Sequence, residues 1–551
     1  MKKIIFILGL AAVVLGTSCS DVLDLNPADR FSPATVWSTT TTADKYVIGL
    51  YSIFGANTEM RGGDAYASPR LSDAYSDILK STSWNQYNHN FNATLLQETA
   101  FNSNSAGAFE CWSSHYDRIR HENEFLRDAA EFGSKFGEDW LKIRIAEVRF
   151  CRAYAYFMLC RVYGGVILRT EVDGPEQNDK ARSTEEECWG FIINELKELA
   201  PDLPLKWDSD NSGRATQKAA YGLLSRVALY AEKWDVAAQA ARDCATAEGN
   251  LDLSENGYAK IFELGINSPE VLFAVEFKSS VIDHAYDAYV RPSGDTKELG
   301  KQVYSGFVPT SELVDSYEMA GDGGNFSWEK HGKDPYANRE PRFYATILYN
   351  GADWMGRKIE SFVGGKDGYK AYENAGAAGT TVTGYYLRKY LIDGDKTWVT
   401  SGSGQDWIVL RYAEVLLNKA EALAMENWNK NSAEALQALN DVRARVGLPA
   451  RATADKETFL EYVRHERKVE LAGEGFRYWD LRRWRVAEKV NDGQNVHGVK
   501  ISKQSDGSFT YEQVDADGGH KRIFYDRYYR FAIPLSERSN NSLCTNNDGW
   551  I

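Results

Sequence analysis

The chain has 551 residues, 43% of them hydrophobic and 13% aromatic, enough to bury a large core and ordinarily to form more than one domain. Its formal charge of −14 leaves no basic footprint for nucleic acid, and no run of like charge stands out, so the acidity reads as a solvated surface. Seven cysteines lack the close spacings of a disulfide or metal framework and read as buried thiols, apart from Cys19.

The chain opens with Lys2 and Lys3, an apolar run from Ile4 to Leu15, and then Gly16-Thr17-Ser18-Cys19. This is the pattern of an export signal, and the run is shorter than the roughly 20 residues that cross a bilayer. Small residues directly before a cysteine resemble a bacterial lipoprotein box, so residues 1–18 are expected to be removed and Cys19 to carry the lipid. The acidic Ser20-Asp21-Val22-Leu23-Asp24 resembles the sorting tag of surface lipoproteins. No later apolar stretch reaches spanning length, so the chain is expected to be anchored and not inserted, and the resemblance to a surface-lipoprotein tag implies the outer membrane at the cell surface.

Residues 19–250 read as helical. Asp139 is expected to cap a helix over Leu141 to Tyr163 that is apolar nearly all round, hence buried between neighbours, and Gly164-Gly165 ends it. A helical hairpin follows over Lys218 to Ala245, broken at Glu232-Lys233, with small alanines on its second arm. Residues 251–405 change in character, with many Gly, Tyr and Trp, long loops, and a strand-like Val271 to Val275; long loops of this kind usually serve a function. A second helical hairpin is expected from Ile408 to Val446, broken at Asn427 to Asn431, inside a C-terminal part spanning 406–551. Asp506-Gly507 between two strand-like runs predicts a β-hairpin near the end. The fold class is therefore mainly α, a tetratricopeptide-like scaffold with a loop-rich insertion containing short strands.

Enzymatic constellations are thin. His121-Glu122-Asn123-Glu124-Phe125 starts like a zinc-protease helix but has Phe where the second histidine belongs. Asp208 to Gly213 begins like a calcium loop, yet Ala219 stands where the closing Glu would be. No catalytic residue, metal or cofactor is assigned.

Several stretches resemble the SusD/RagB family: Ala146 to Phe157 closing on Arg161-Val162-Tyr163-Gly164-Gly165, Arg411 to Ala422, and above all His465-Glu466-Arg467-Lys468-Val469-Glu470-Leu471-Ala472-Gly473-Glu474-Gly475-Phe476-Arg477-Tyr478-Trp479-Asp480-Leu481-Arg482-Arg483-Trp484. Pro309 to Leu313, Asp334 to Tyr344 and Asn547 to Trp550 extend the resemblance along the chain. It implies a scaffold of four tetratricopeptide units, a loop-rich ligand face, and a SusC-like TonB-dependent transporter as partner. The implied function is capture of oligosaccharide or polysaccharide without bond cleavage. A peptide-binding lid of a RagA-like importer is the alternative, and a glycoside hydrolase the third. Glu466, Arg467, Glu470 and Arg477 read as a structural ion network. Gly475 suits a helix C-terminus, and Asp480 the N-cap of the next helix.

Sugar rings need flat apolar faces and planar polar partners. One aromatic face covering about 50–80 Å² contributes roughly 1–2 kcal/mol at about 25 cal/mol per Å². Two segments fit. Ser81 to Asn92 offers Trp84, Asn85 and Tyr87, and Asp283 to Tyr304 offers Tyr286 and Tyr289; Arg70 and Arg388 are added as hydroxyl partners. Trp328 and Trp354 read as anchors of the insertion.

Overall fold

A computed structural model describes residues 32–60, 71–82, 101–174, 179–372 and 380–550. Its frame is a file of helices. After α1 (Thr40–Leu50) come α2 (Trp112–Phe132), α3 (Glu138–Tyr163), α4 (Glu185–Leu199), α5 (Gln217–Tyr230) and α6 (Trp234–Thr246), and after the insertion α7 (Tyr412–Arg445), α8 (Lys456–Glu470) and α9 (Arg477–Arg483). From α2 to α8 each helix packs on the next. The contact of α6 with α7 matters most, because residues 251–405 intervene in sequence but not in the stack. Arg242 of α6 grips Glu434 of α7 with two guanidinium nitrogens at 2.9 and 2.8 Å, and Lys419 adds to the same carboxylate.

The local sequence explains the ends. Gly137 (φ +91°) starts α3, and Glu138 and Asp139 place negative charge in its first turn, where the helix dipole favours it. Asp139 is thus a residue of the helix and not its cap. Gly164 (φ +76°) stops the helix as expected. Thr184 and Glu187 form a reciprocal capping box on α4. The second hairpin begins later than its periodicity suggested: Trp407–Arg411 is a strand, paired antiparallel with Val271–Val275, and α7 starts only at Tyr412. A wholly buried run of aromatic and branched residues has no preference for either element until a partner strand decides it. The predicted break is real, for Asn427 inside α7 has φ −164° and ψ 92°.

The β elements are two-stranded. Strand β1 (Leu79–Ser81) pairs antiparallel with β3 (Phe307–Pro309), β2 (Val271–Val275) with β4 (Trp407–Arg411), and β5 (His497–Lys503) with β6 (Phe509–Asp515). The last pair is the expected hairpin, with Gly507 at φ +87° in its turn. One core runs from Ile53 to Trp550 and takes in side chains from all three parts of the chain; a smaller one joins α1 to Phe125, Ala129 and Val148. Cys111, Cys151, Cys160, Cys188, Cys244 and Cys544 are buried free thiols. Among the described residues no helix is long and apolar enough to cross a membrane. Cys19 lies outside the described residues.

The ion network expected around α8 is present. Glu470 accepts from Arg342 at 2.9 Å and from Arg411 at 2.7 Å, with Arg445 as a third partner. Glu466 bridges Arg342 and Arg443, and Arg477 holds Asp77. Helix α8 ends at Glu470, and Gly473 and Gly475, both near φ +78°, make the turn into α9. Asp480 sits in the first turn of α9 and not at its cap, since its carboxylate is taken by Arg467 and Arg483, each at 2.8 Å.

Candidate functional site

The ladder between β1 and β3 takes in Ser81, which opens one segment that the sequence marked for ligand, and Phe307, three positions after the end of the other. Leu79 pairs with Pro309, Lys80 with Val308 and Ser81 with Phe307, and the Thr82 N–H donates to the Gly306 carbonyl at 3.0 Å. Thr82, the last described residue before that segment, thus pairs two positions after Tyr304 in sequence. Trp84, Asn85 and Tyr87, together with Arg70, lie outside the described residues.

The ladder rests on a buried charge cluster. Lys80, 1% exposed, places Nζ 2.6 Å from Asp517 Oδ1, and Arg522 Nε donates to Asp517 Oδ2 at 3.0 Å. Burial alone would raise the Asp517 carboxyl, but Arg522 and Lys80 hold it well below the usual carboxylate range. Burial in turn lowers the Lys80 ammonium, against the pull of Asp517. The Lys80 Nζ also lies 5.2 Å from the ring centroid of the half-buried Tyr372, which meets the exposed His520 edge-on at 6.0 Å. Gly518 (φ +63°) packs so close under Tyr372 that a Cβ there would run into the ring. Tyr304, also half-buried, anchors its N–H on the Ala288 carbonyl and sets its ring 4.9 Å from that of Tyr289.

The second segment is built differently from the expected loop. Tyr286–Val290 is a short helix, and Tyr286 is fully buried, its hydroxyl donating to the Lys389 carbonyl at 3.0 Å. Tyr289 is 6% exposed. Neither ring presents a face to solvent in this structure, because both fill the core beneath the ladder. Arg291 is buried too, paired with Asp287 at 2.8 Å between the rings of Trp354 and Trp398. Trp354 is buried and bonds Asp295, as an anchor should, and Trp328 bonds Asp315. Arg388 is half-buried and spends Nη1 on the Tyr344 carbonyl at 3.2 Å. It follows the short strand Tyr386–Leu387, which lies beside β3.

Among the described residues, Tyr304 and Tyr372 are thus half-buried and His520 and Gln302 are exposed. Sequence reasoning missed Tyr372 and His520. The Gly518-Gly519 pair before His520 was the available signal. The arrangement offers ring faces and neutral donors next to a buried, ion-paired charge cluster; this suits a hydroxyl-rich ligand. Among the described residues, no group of three or more His, Cys, Asp or Glu side chains is placed to hold a metal ion.

Comparison with known proteins agrees along nearly the full chain. Residues 269–550 match the SusD family, and residues 21–229 match a family described as starch-binding and associating with the outer membrane. A SusD-like protein of Bacteroides ovatus is 24% identical over 547 residues, covering 94% of this chain and 90% of the relative. A crystal structure of a SusD-like protein from Bacteroides fragilis superposes with a TM-score of 0.80 at 27% identity, covering 94% of this chain and 98% of the other. A second one from that organism, a SusD-like carbohydrate-binding protein, gives a TM-score of 0.76 at 24% identity, with coverages of 92% and 99%. The chain belongs to the SusD family, a family of glycan-binding proteins that are not enzymes.

Proposed function

We propose that this protein captures oligosaccharide or polysaccharide at the cell surface and delivers it to a SusC-like TonB-dependent transporter in the outer membrane, held there by a lipid on Cys19. The observation that carries the reading is the β1–β3 ladder. It sets Ser81 and Thr82, which open the Trp84 segment, against Phe307 and Gly306, shortly after Tyr304 in sequence, and this supports one shared rim for the two stretches. The carbohydrate-binding relative and the outer-membrane family description support the same reading. Trp84 and Tyr87 are proposed as sugar platforms with Tyr304 and Tyr372, and Asn85, Arg70 and Arg388 as hydroxyl partners. Two or three such platforms, set against association costs, give micromolar to millimolar affinity.

The test is affinity electrophoresis of the chain from Ser20 onward through native gels holding a panel of neutral and acidic polysaccharides. Wild type is run beside Trp84→Ala and Tyr304→Ala. Retardation by one polysaccharide, relieved in both variants, is the expected result. Free migration of wild type through the whole panel would overturn glycan capture. Delivery is tested separately, by co-purification of the full-length protein with a TonB-dependent barrel from outer membranes.

A further inference from the structure

Five arginines converge on a pocket of about 120 Å³ between the end of α3, the start of α4, and α9: Arg161, Arg482, Arg483, Arg485 and Arg530. Two of them are matched by carboxylates. Arg483 pairs with Glu421 and Asp480, and Arg530 grips Glu185. Among the described residues, no carboxylate lies at ion-pair distance from Arg161, Arg482 or Arg485. Glu232, also on the pocket wall, is exposed and forms no ion pair with them.

Arg482 is the most confined of the five. It is 4% exposed, its Nη2 donates to the Tyr529 carbonyl at 2.9 Å, and its Nε and Nη1 are buried with no partner among the described residues. The Nε of Arg161 is buried without a partner as well. Both guanidinium groups lie over Trp479, at 4.0 Å for Arg161 and 4.8 Å for Arg482. An aromatic face stabilises a cation by about 0.5–2 kcal/mol, whereas desolvating an ion costs several kcal/mol. The rings therefore offset only part of the cost. Burial, together with the charges of Arg530 and Arg161, pulls Arg482 down to about 10 despite the opposing effect of Tyr478.

We propose that this pocket binds a small tetrahedral oxyanion, sulfate or phosphate, free or as a terminal ester. Unspent N–H donors on two stacked guanidinium groups match oxyanion geometry, and charge-assisted bonds of this kind are the strong ones. The pocket is well below the roughly 300 Å³ that encloses a whole small-molecule ligand, so only the charged group enters. It lies on the helical scaffold, is built from other residues than the β1–β3 rim, and does not depend on the glycan reading.

The chain from Ser20 onward is titrated calorimetrically with sodium sulfate and with sodium phosphate, and melted in each against sodium chloride of equal ionic strength. Because sulfate stabilises most proteins by exclusion from their surface, the variants decide the matter. Arg161→Gln and Arg485→Gln are expected to weaken binding at least about tenfold, the loss of one charge-assisted bond, while Arg120→Gln on the exposed side of α2 keeps wild-type affinity. Glucose 6-sulfate forms a further arm: binding by it identifies the ester as a ligand, and its failure beside bound sulfate identifies the free ion. Wild type that binds neither anion beyond chloride, or variants that retain wild-type affinity, would overturn the proposal.

Discussion

Asp73 and Gly475, 402 positions apart, are joined by a hydrogen bond of 3.2 Å from the glycine N–H to the carboxylate Oδ2. The same carboxylate accepts the N–H groups of Gly473 and Arg477, both at 2.9 Å, so one buried side chain closes the whole turn between α8 and α9. Replacing Asp73 by Ala leaves three backbone donors without an acceptor. At about 1–3 kcal/mol for each buried unsatisfied group, the expected loss is about 3 kcal/mol or more in urea unfolding. Loss of less than about 1 kcal/mol would mean that water takes over the turn.

Glu122 gives a stability that depends on pH with an unusual sign. It is fully buried on α2, neither carboxylate oxygen has a partner among the described residues, and burial raises it from 4.5 to about 8, with Arg152 and Arg118 opposing. The folded chain keeps this proton between about pH 4.5 and 8 while the unfolded chain releases it, so this group's contribution to unfolding free energy falls as pH rises through that window. Glu122→Gln removes the slope. The variant is expected to match wild type near pH 4 and to exceed it by on the order of a few kcal/mol at pH 8. Parallel unfolding curves at the two pH values check this, and equal differences at both would refute it.

Glu470 serves three guanidinium groups at once. Glu470→Gln leaves Arg342, Arg411 and Arg445 short of charge in the core, and removing one partner of a buried pair costs about 3–5 kcal/mol. Retardation by a bound polysaccharide is expected to persist wherever the variant remains folded, since the network lies beneath the scaffold and not at the rim. Thermal melting and affinity gels on the same sample separate the two effects.

The tyrosines divide by exposure. Tyr286→Ala empties a fully buried site and is expected to cost about 3–5 kcal/mol of stability. Tyr304→Ala and Tyr372→Ala are half-buried at the rim and should lower glycan retardation with much smaller shifts in melting temperature. A Tyr286→Ala protein with unchanged melting temperature and lost retardation would restore the tyrosine to the ligand face.

The helical scaffold was legible because its signals are local. The hairpin at Lys218 to Ala245, the stop at Gly164 and the break at Asn427 each follow from a few neighbouring residues. The strand Trp407–Arg411 was hidden, since its state is decided by Val271–Val275, far away in sequence. The rim was half legible for the same reason. Aromatic-rich stretches mark themselves, but whether Tyr286 faces water or Lys389 depends on contacts across 103 positions, and no window around the tyrosine holds that information. Lys80 and Asp517 carry no sign in either local sequence that they belong together.

That last pair reaches across 437 positions of the chain. A chain made from its N-terminus acquires the β1 sequence early, yet the ammonium it buries has no counter-charge until residue 517 has also emerged. The rim is therefore assembled only by a nearly finished polypeptide. Proteolytic loss of the C-terminal hairpin and the residues just after it would strand a lysine in the core and take the proposed ligand face apart with it.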